Sequence, residues 1–199
     1  VKIKVVTWFD DGYLLGKKFQ PTNIQRCEEF GYKYIHSQER QCEFLSPHWE
    51  RIPLIQKNLD ETDYIIWLDG DAYLTGKPIP EIKADLTVSL DVDRENNTNW
   101  RVNSGAFILK NCDWAIEFLS VWLNLGPQGS KDYAVHEKIH HGHRVRFHDQ
   151  GALRYMILNN LCSIKNHIDI KEYGVLQNFR DESAFVAHKP GIYERIYCT

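Results

Sequence analysis

The chain has 199 residues, 43% hydrophobic and 13% aromatic, enough to bury one good core in a single domain. Its formal net charge of −3 gives no electrostatic reason to expect a nucleic-acid partner, and its nine histidines add little positive charge at neutral pH. No stretch reaches the roughly 18 apolar residues of a membrane span and no charged-then-apolar leader opens the chain, so a soluble chain without membrane contact is expected.

Cys27, Cys42, Cys112, Cys162 and Cys198 are scattered, odd in number and lack Cys-x-x-Cys spacing. They read mainly as reduced thiols, one or two disulfides being the other option. Asn96-Asn97-Thr98 is a formal glycosylation sequon, but a single one places nothing.

In chain order, the pattern predicts a strand at Lys2 to Phe9 and a short helix from Thr22 to Phe30, opened by Thr22 and closed by Gly31. A strand follows at Tyr32 to His36. Ser46-Pro47 predicts a helix start, with a capping hydroxyl and proline in the first turn, and Ile52, Ile55 and Leu59 continue it at helical spacing. The run from Tyr64 to Leu68 is apolar enough for a strand buried on both faces, and it stops at Asp69-Gly70-Asp71. Further strands are expected at Leu86 to Asp91 and Ala106 to Lys110. A helix is expected from Asp113 to Leu125, with Trp114, Phe118, Val121, Trp122 and Leu125 on one face and Gly126-Pro127 ending it. Asp149 to Asn160 reads as another helix. Strand and helix alternate without repeat or linker, which predicts a compact α/β layer structure.

Asp69 and Asp71 are placed by this pattern at the carboxyl edge of a strand, where open α/β sheets bind ligands. Two carboxylates there suit a hard divalent cation that also holds a diphosphate, so a small nucleotide is the expected cargo. Asp91-Val92-Asp93 repeats the spacing, but its apolar run is shorter and polar residues follow it. A strand-end turn is the plainer reading of either pair, since Asp and Gly are ordinary turn formers.

Four segments carry a resemblance. Trp67-Leu68-Asp69-Gly70-Asp71-Ala72, Asn103 to Trp114, Asp149-Gln150-Gly151-Ala152-Leu153 and His188-Lys189-Pro190-Gly191 resemble, in order and spacing, the motifs of GT-A glycosyltransferases. The pattern is most similar to the galactosyl- and xylosyltransferase family that includes yeast mannan and plant xyloglucan enzymes. Ser46 to Leu54 resembles that family's helix before the Asp-x-Asp strand. The resemblance implies one GT-A (Rossmann-like) domain with a mostly parallel sheet flanked by helices, residues 1–93 serving the nucleotide sugar and 94–199 the acceptor. The chain departs from the family at His148, where an acidic residue is usual, and is shorter than the eukaryotic members.

What the resemblance implies for chemistry is specific. The donor is a nucleoside-diphosphate sugar, expected to be UDP-linked, and the acceptor a glycan or glycoprotein. Asp69, Asp71 and His188 are the expected ligands of Mn²⁺ or Mg²⁺, the imidazole favouring manganese. Thr7, Trp8, Phe9 and Asp10 end the first strand at the same edge and are candidates for holding base and ribose. Asn103, Ser104 and Gly105 are expected at the sugar pocket, Gly105 allowing close backbone approach. Arg51, Lys189 and Arg195 are candidate donor contacts. Gln150 is expected to stabilise the oxocarbenium-like centre of a retaining enzyme. An inverting enzyme needs a carboxylate base instead, for which Asp149 or Asp91 is the candidate. A cytoplasmic location is favoured, an excised luminal domain of Golgi type being the alternative.

Two other classes remain at this stage. One is a module that binds a nucleotide sugar without transferring it. The other is a zinc metallopeptidase, because His136-Glu137-Lys138-Ile139-His140 fits His-Glu-x-x-His, with Glu172 or His167 as the proposed third ligand. Lys138 within the motif and His141-Gly142-His143 directly after it argue against that helix.

Overall fold

A computed structural model of the chain describes residues 1–43, 45–91, 102–128, 148–179 and 181–189. Its frame is a sheet of six strands in the order β2-β1-β3-β6-β5-β7, with β1 at Ile3–Trp8, β2 at Lys33–Ser37, β3 at Tyr64–Asp69, β5 at Leu86–Leu90, β6 at Val102–Lys110 and β7 at Ile168–Lys171. β6 runs antiparallel to both its neighbours and the other three pairings are parallel, so the sheet is mostly parallel, as expected. A second sheet sets β4 (Ala72–Leu74), β9 (Val186–His188) and β8 (Gln177–Asn178) side by side.

Both faces of the large sheet are covered, which is why its strands read as continuous apolar runs. Along β3, Ile65 and Trp67 face one core and Ile66 and Leu68 the other. The first core is closed by α2 (Arg51–Asn58), α3 (Asp113–Gln128) and α4 (Asp149–Asn159), through Ile52, Ile55, Phe118, Trp122, Leu153 and Met156. The second is closed by α1 (Leu14–Phe30) and by the small sheet, through Cys27, Leu74 and Val186.

Three helix boundaries differ from the sequence pattern, each because tertiary contacts override a local signal, and β6 begins at Val102 and not at the expected Ala106. α1 starts at Leu14 and runs through Pro21, so Thr22 opens nothing. Proline forfeits one helical hydrogen bond, but Asn23 ties the helix to β4 by donating to the Ala72 carbonyl and accepting from the Leu74 N–H. Pro47 opens a 3-10 turn (Pro47–Glu50) that leads into α2, and the buried Ser46 hydroxyl makes no capping bond. α3 continues through Gly126, where a Cβ would lie 2.8 Å from Leu45, so that glycine permits close packing and does not end the helix.

Among the described residues four cysteines, Cys27, Cys42, Cys112 and Cys162, are free thiols, in line with the reduced reading. Burial pushes the Cys27 thiol up to about 12, which keeps it inert. No described helix is long and apolar enough to cross a membrane.

Towards the far edge of the sheet, Asp85 joins the entries to β5 and β7 to the end of β6. It takes the His167 Nδ1 bond at 2.7 Å and lies 3.6 Å from Lys110 Nζ. Those partners hold its carboxyl below the ordinary range. A lowered folded value contributes stability above the unfolded value, and the contribution is lost as pH falls through the folded one. In urea unfolding, Asp85→Asn is therefore expected to be less stable than the parent at pH 6. That gap should close below about pH 4; a gap independent of pH would remove the assignment.

Candidate active site

Asp69 ends β3 level with Trp8 of β1, at the carboxyl edge of the two parallel strands. The chain then turns at Gly70, where a Cβ would meet the Tyr13 ring at 3.0 Å, and Asp71 leads into β4. The antiparallel pairing of β4 with β9 sets Ala72 opposite His188. Sequence-distant strands thereby bring Asp69, Asp71 and His188 together, with one ligand atom of each within 4.8 Å of the others. No other group of three or more such side chains has this arrangement among the described residues.

Each of the three is held from behind. His188 Nε2 lies 3.1 Å from Asp71 Oδ1 and its Nδ1 lies 3.2 Å from Gln177 Oε1. The Tyr13 hydroxyl donates to Asp71 Oδ2 at 3.1 Å. Asp69 Oδ1 accepts from Trp67 Nε1 and from Arg51 Nη2, both at 2.8 Å. Burial pushes the Asp69 carboxyl up, more than Arg51 pulls it down. Burial raises Asp71 as well, but the bonds from His188 and Tyr13 outweigh it and hold that carboxyl low. The two carboxyls are driven apart by their surroundings.

Gly105 is required here for a different close approach from the one expected. A Cβ at this position would lie 2.1 Å from His188 Cε1, so the missing side chain is the space in which the imidazole sits. The backbone around it is irregular for a related reason. In the β5–β6 pairing, Val88 stands opposite Phe107 but Ser89 opposite Asn103, a bulge that releases Ser104, Gly105 and Ala106 from β5. Ser104 is then free to donate its N–H to Gln150 Oε1 at 2.9 Å and to offer its carbonyl to Arg51 Nη1.

Arg51 is buried and fully engaged. Its Nε pairs with Asp149 Oδ2 at 3.0 Å, in addition to the Asp69 and Ser104 contacts. Asp149, the candidate base, is a buried partner of Arg51 in the first turn of α4, and His148 takes the cap position of that helix. Asp91 is likewise paired, with Arg154 Nη2 at 2.6 Å. Gln150 sits beside Asp149 with its oxygen turned to Ser104.

A cavity of about 250 Å³ opens over this edge, and its lining includes Trp8, Phe9, Asp10, Tyr13, His48, Arg51, Trp67, Asp69 and Asp71. Trp8, Phe9 and Asp10 thus line the cavity as the sequence reading has them, whereas Thr7 is buried in β1 and does not. Asn103, Ser104 and Gly105 lie in β6 behind it. Lys189 donates its N–H to the Asp71 carbonyl at 2.8 Å while its Nζ is 3.4 Å from the Phe179 carbonyl. Arg195, Asp93, Cys198, the Asn96 sequon and the His136 to His140 motif lie outside the described residues.

Sequence reasoning missed Tyr13, His48, Trp67 and Gln177. Only Trp67 had a signal, since a residue two before Asp69 on a strand shares its face.

Comparison with solved structures finds a glycosyltransferase involved in the glycosylation of the major capsid of PBCV-1, with a TM-score of 0.65, 15% identity, and coverage of 96% of this chain and 94% of that one. The chain has a glycosyltransferase fold. In sequence it is similar to a probable glycosyltransferase 2 of Oryza sativa subsp. indica, 25% identical over 92% of this chain and 42% of the relative. It is also similar to galactomannan galactosyltransferase 1 of Cyamopsis tetragonoloba, 24% identical over 70% of this chain and 35% of the relative. Xyloglucan 6-xylosyltransferase 4 of Arabidopsis thaliana is 30% identical over 59% of this chain and 24% of the relative. The chain thus spans less than half the length of these curated relatives. No family model matches it. The resemblance to galactosyl- and xylosyltransferases read from the motifs is borne out.

In this glycosyltransferase fold Arg51 is the buried cation on which two carboxylates depend. Arg51→Met is expected to lose about 3–5 kcal/mol of stability in urea unfolding, because Asp149 is left buried without its cation and the half-buried Asp69 loses a charged partner. Adding Asp149→Asn should recover part of the loss; a single variant as stable as the parent would show that the ion pairs are not what holds this edge.

Proposed function

We propose that the chain is the catalytic part of a metal-dependent, retaining glycosyltransferase that moves a sugar from a UDP-sugar to a glycan or glycoprotein acceptor. The observation that carries the reading is the cluster of Asp69, Asp71 and His188, two of whose members, Asp69 and Asp71, line the cavity together with Trp8 and Phe9. Its donor set, two carboxylates and one imidazole with each outer atom braced, fits Mn²⁺ and, less well, Mg²⁺. When bound there, a divalent ion supplies Lewis-acid stabilisation of the charge gathering on the departing diphosphate.

The chain's own residues do the rest. Trp8 and Phe9 wall the space for a flat base, and Asp10 offers a carboxylate to ribose hydroxyls at its exposed end. Tyr13 holds Asp71 in one orientation. The Gln150 amide is the group set against the positive charge that develops at the sugar's reacting carbon. Ser104 Oγ lies 3.3 Å from both Asp149 Oδ2 and Gln150 Oε1 and has one hydrogen to give, so turning to Asp149 returns a lone pair to the amide oxygen.

Retention is favoured over inversion by a specific pairing. The two carboxylates that would serve as an inverting base, Asp149 and Asp91, are each engaged by an arginine, and neither lines the cavity. Galactomannan and xyloglucan are named for relatives of this chain, and a polysaccharide or glycan hydroxyl is the acceptor class those names suggest.

Calorimetric titration of UDP-, GDP- and dTDP-sugars into metal-stripped protein, with and without Mn²⁺, tests the reading. Manganese-dependent binding of a UDP-sugar is the expected result, and no binding of any donor in either condition would sink it. Binding with neither transfer nor slow hydrolysis of the donor would make the chain a non-catalytic module. Asp71→Ala is expected to abolish metal-dependent donor binding; the same assay with unchanged affinity would take Asp71 out of the site. Gln150→Ala should leave donor affinity near that of the parent and lower kcat by about 10²–10³. Turnover at the parent rate would reassign Gln150 to packing.

A further inference from the structure

We propose that Gln177 is a positioning residue of the metal site, its side-chain amide fixing the hydrogen on Nδ1 of His188 so that Nε2 is free to bind the ion. The inference rests on the metal-binding reading of Asp69, Asp71 and His188. Gln177 lies in β8, fully buried, and pairs in parallel with Val186 of β9, two residues before His188 on the same face. Its Oε1 lies 3.2 Å from His188 Nδ1.

The imidazole has little freedom. Gly105 lies against its Cε1 side, and the Phe179 ring meets it at 83° with centroids 5.0 Å apart. Within that slot Nδ1 faces Gln177 and Nε2 faces Asp71. A neutral imidazole carries one hydrogen, so ligation through Nε2 requires that hydrogen on Nδ1 and an acceptor to receive it. Ligating histidines commonly donate this second N–H to a carboxylate, a backbone carbonyl or water, and here a glutamine oxygen occupies that place.

A second observation points the same way. The Gln177 Nε2 is buried without a hydrogen-bond partner among the described residues, an arrangement that packing alone disfavours. The oxygen is kept towards His188 although the nitrogen goes unpaired. A half-turn of the same amide presents its NH₂ to Nδ1, which suits the Nε2–H form that donates to Asp71 when no ion is bound. One residue thus serves both states of the ring, which a carboxylate cannot.

The test titrates Mn²⁺ alone, without nucleotide or sugar, into the metal-stripped parent, Gln177→Met, Gln177→Glu and His188→Ala. Gln177→Met, close to glutamine in shape, is expected to lower Mn²⁺ affinity about 10–100-fold. Gln177→Glu should keep the affinity at or above that of the parent. Nitrogen-15 spectra of the Cd²⁺-loaded parent should show His188 protonated on Nδ1, and Gln177→Met should lose that fixed form. Parent-like affinity in Gln177→Met, or an equal fall in Gln177→Met and Gln177→Glu, overturns the role of Gln177 while leaving the metal site standing. Absence of Mn²⁺ binding to the parent overturns the metal-site reading, and the role of Gln177 with it.

Discussion

The Arg51 guanidinium is buried with its nitrogens committed to Asp69, Asp149 and the Ser104 carbonyl, so one side chain joins α2, β3, β6 and α4. Desolvating a cation is costly, and the cost is offset only when geometry is good and every donor is used. Arginine suits this place because its planar fork meets several acceptors at fixed angles, which a lysine cannot do. The arrangement also leaves a charge imbalance. Asp69, Asp71 and Asp149 face one arginine and one histidine, with Asp69 already pushed towards its neutral form by burial. A pocket with that balance has a standing electrostatic use for another cation.

The bulge in β6 frees backbone groups that an ordinary pairing would occupy. A regular ladder would spend the Ser104 N–H and carbonyl on β5, and Gln150 and Arg51 would lose the groups that orient them. Gly105 at the same bulge makes room for a side chain that arrives from the far end of the chain. The irregularity therefore shapes the sites of both the metal-type cluster and the Gln150 amide.

Much of the architecture was legible because strand periods and the Asp69-Gly70-Asp71 break are local signals. The carboxyl-edge position of that pair follows from the apolar run before it, and the structure has it there. Local signals failed where a distant contact decided the outcome. Thr22 and Gly126 look like boundaries, yet Asn23 bonding to β4 and the fit of Gly126 against Leu45 carry both helices through. Arg51 looks like a donor contact on a helix face, but the carboxylates that engage it stand 18 and 98 positions away. (Asp69 and Asp149 follow it by those intervals in the sequence.) Gln177 and Tyr13 belong to no motif, and only the folded chain sets them behind His188 and Asp71.

The site depends on a closure between distant parts of the chain. His188 meets Asp71 across 117 positions, and it does so only because β9 pairs with β4 and β8 in the small sheet. Such a contact has a loop-closure cost that local strands do not face. β4 and β9 are three residues each and β8 only two, so backbone pairing alone supplies few bonds to hold the closure. A ligand held jointly by Asp69, Asp71 and His188 would bind the closed form alone, and would shift the equilibrium by RT ln(1 + [L]/Kd) in its favour. The small sheet and the cluster are in that sense one element: strand pairing assembles the three side chains, and whatever they hold in common steadies the pairing.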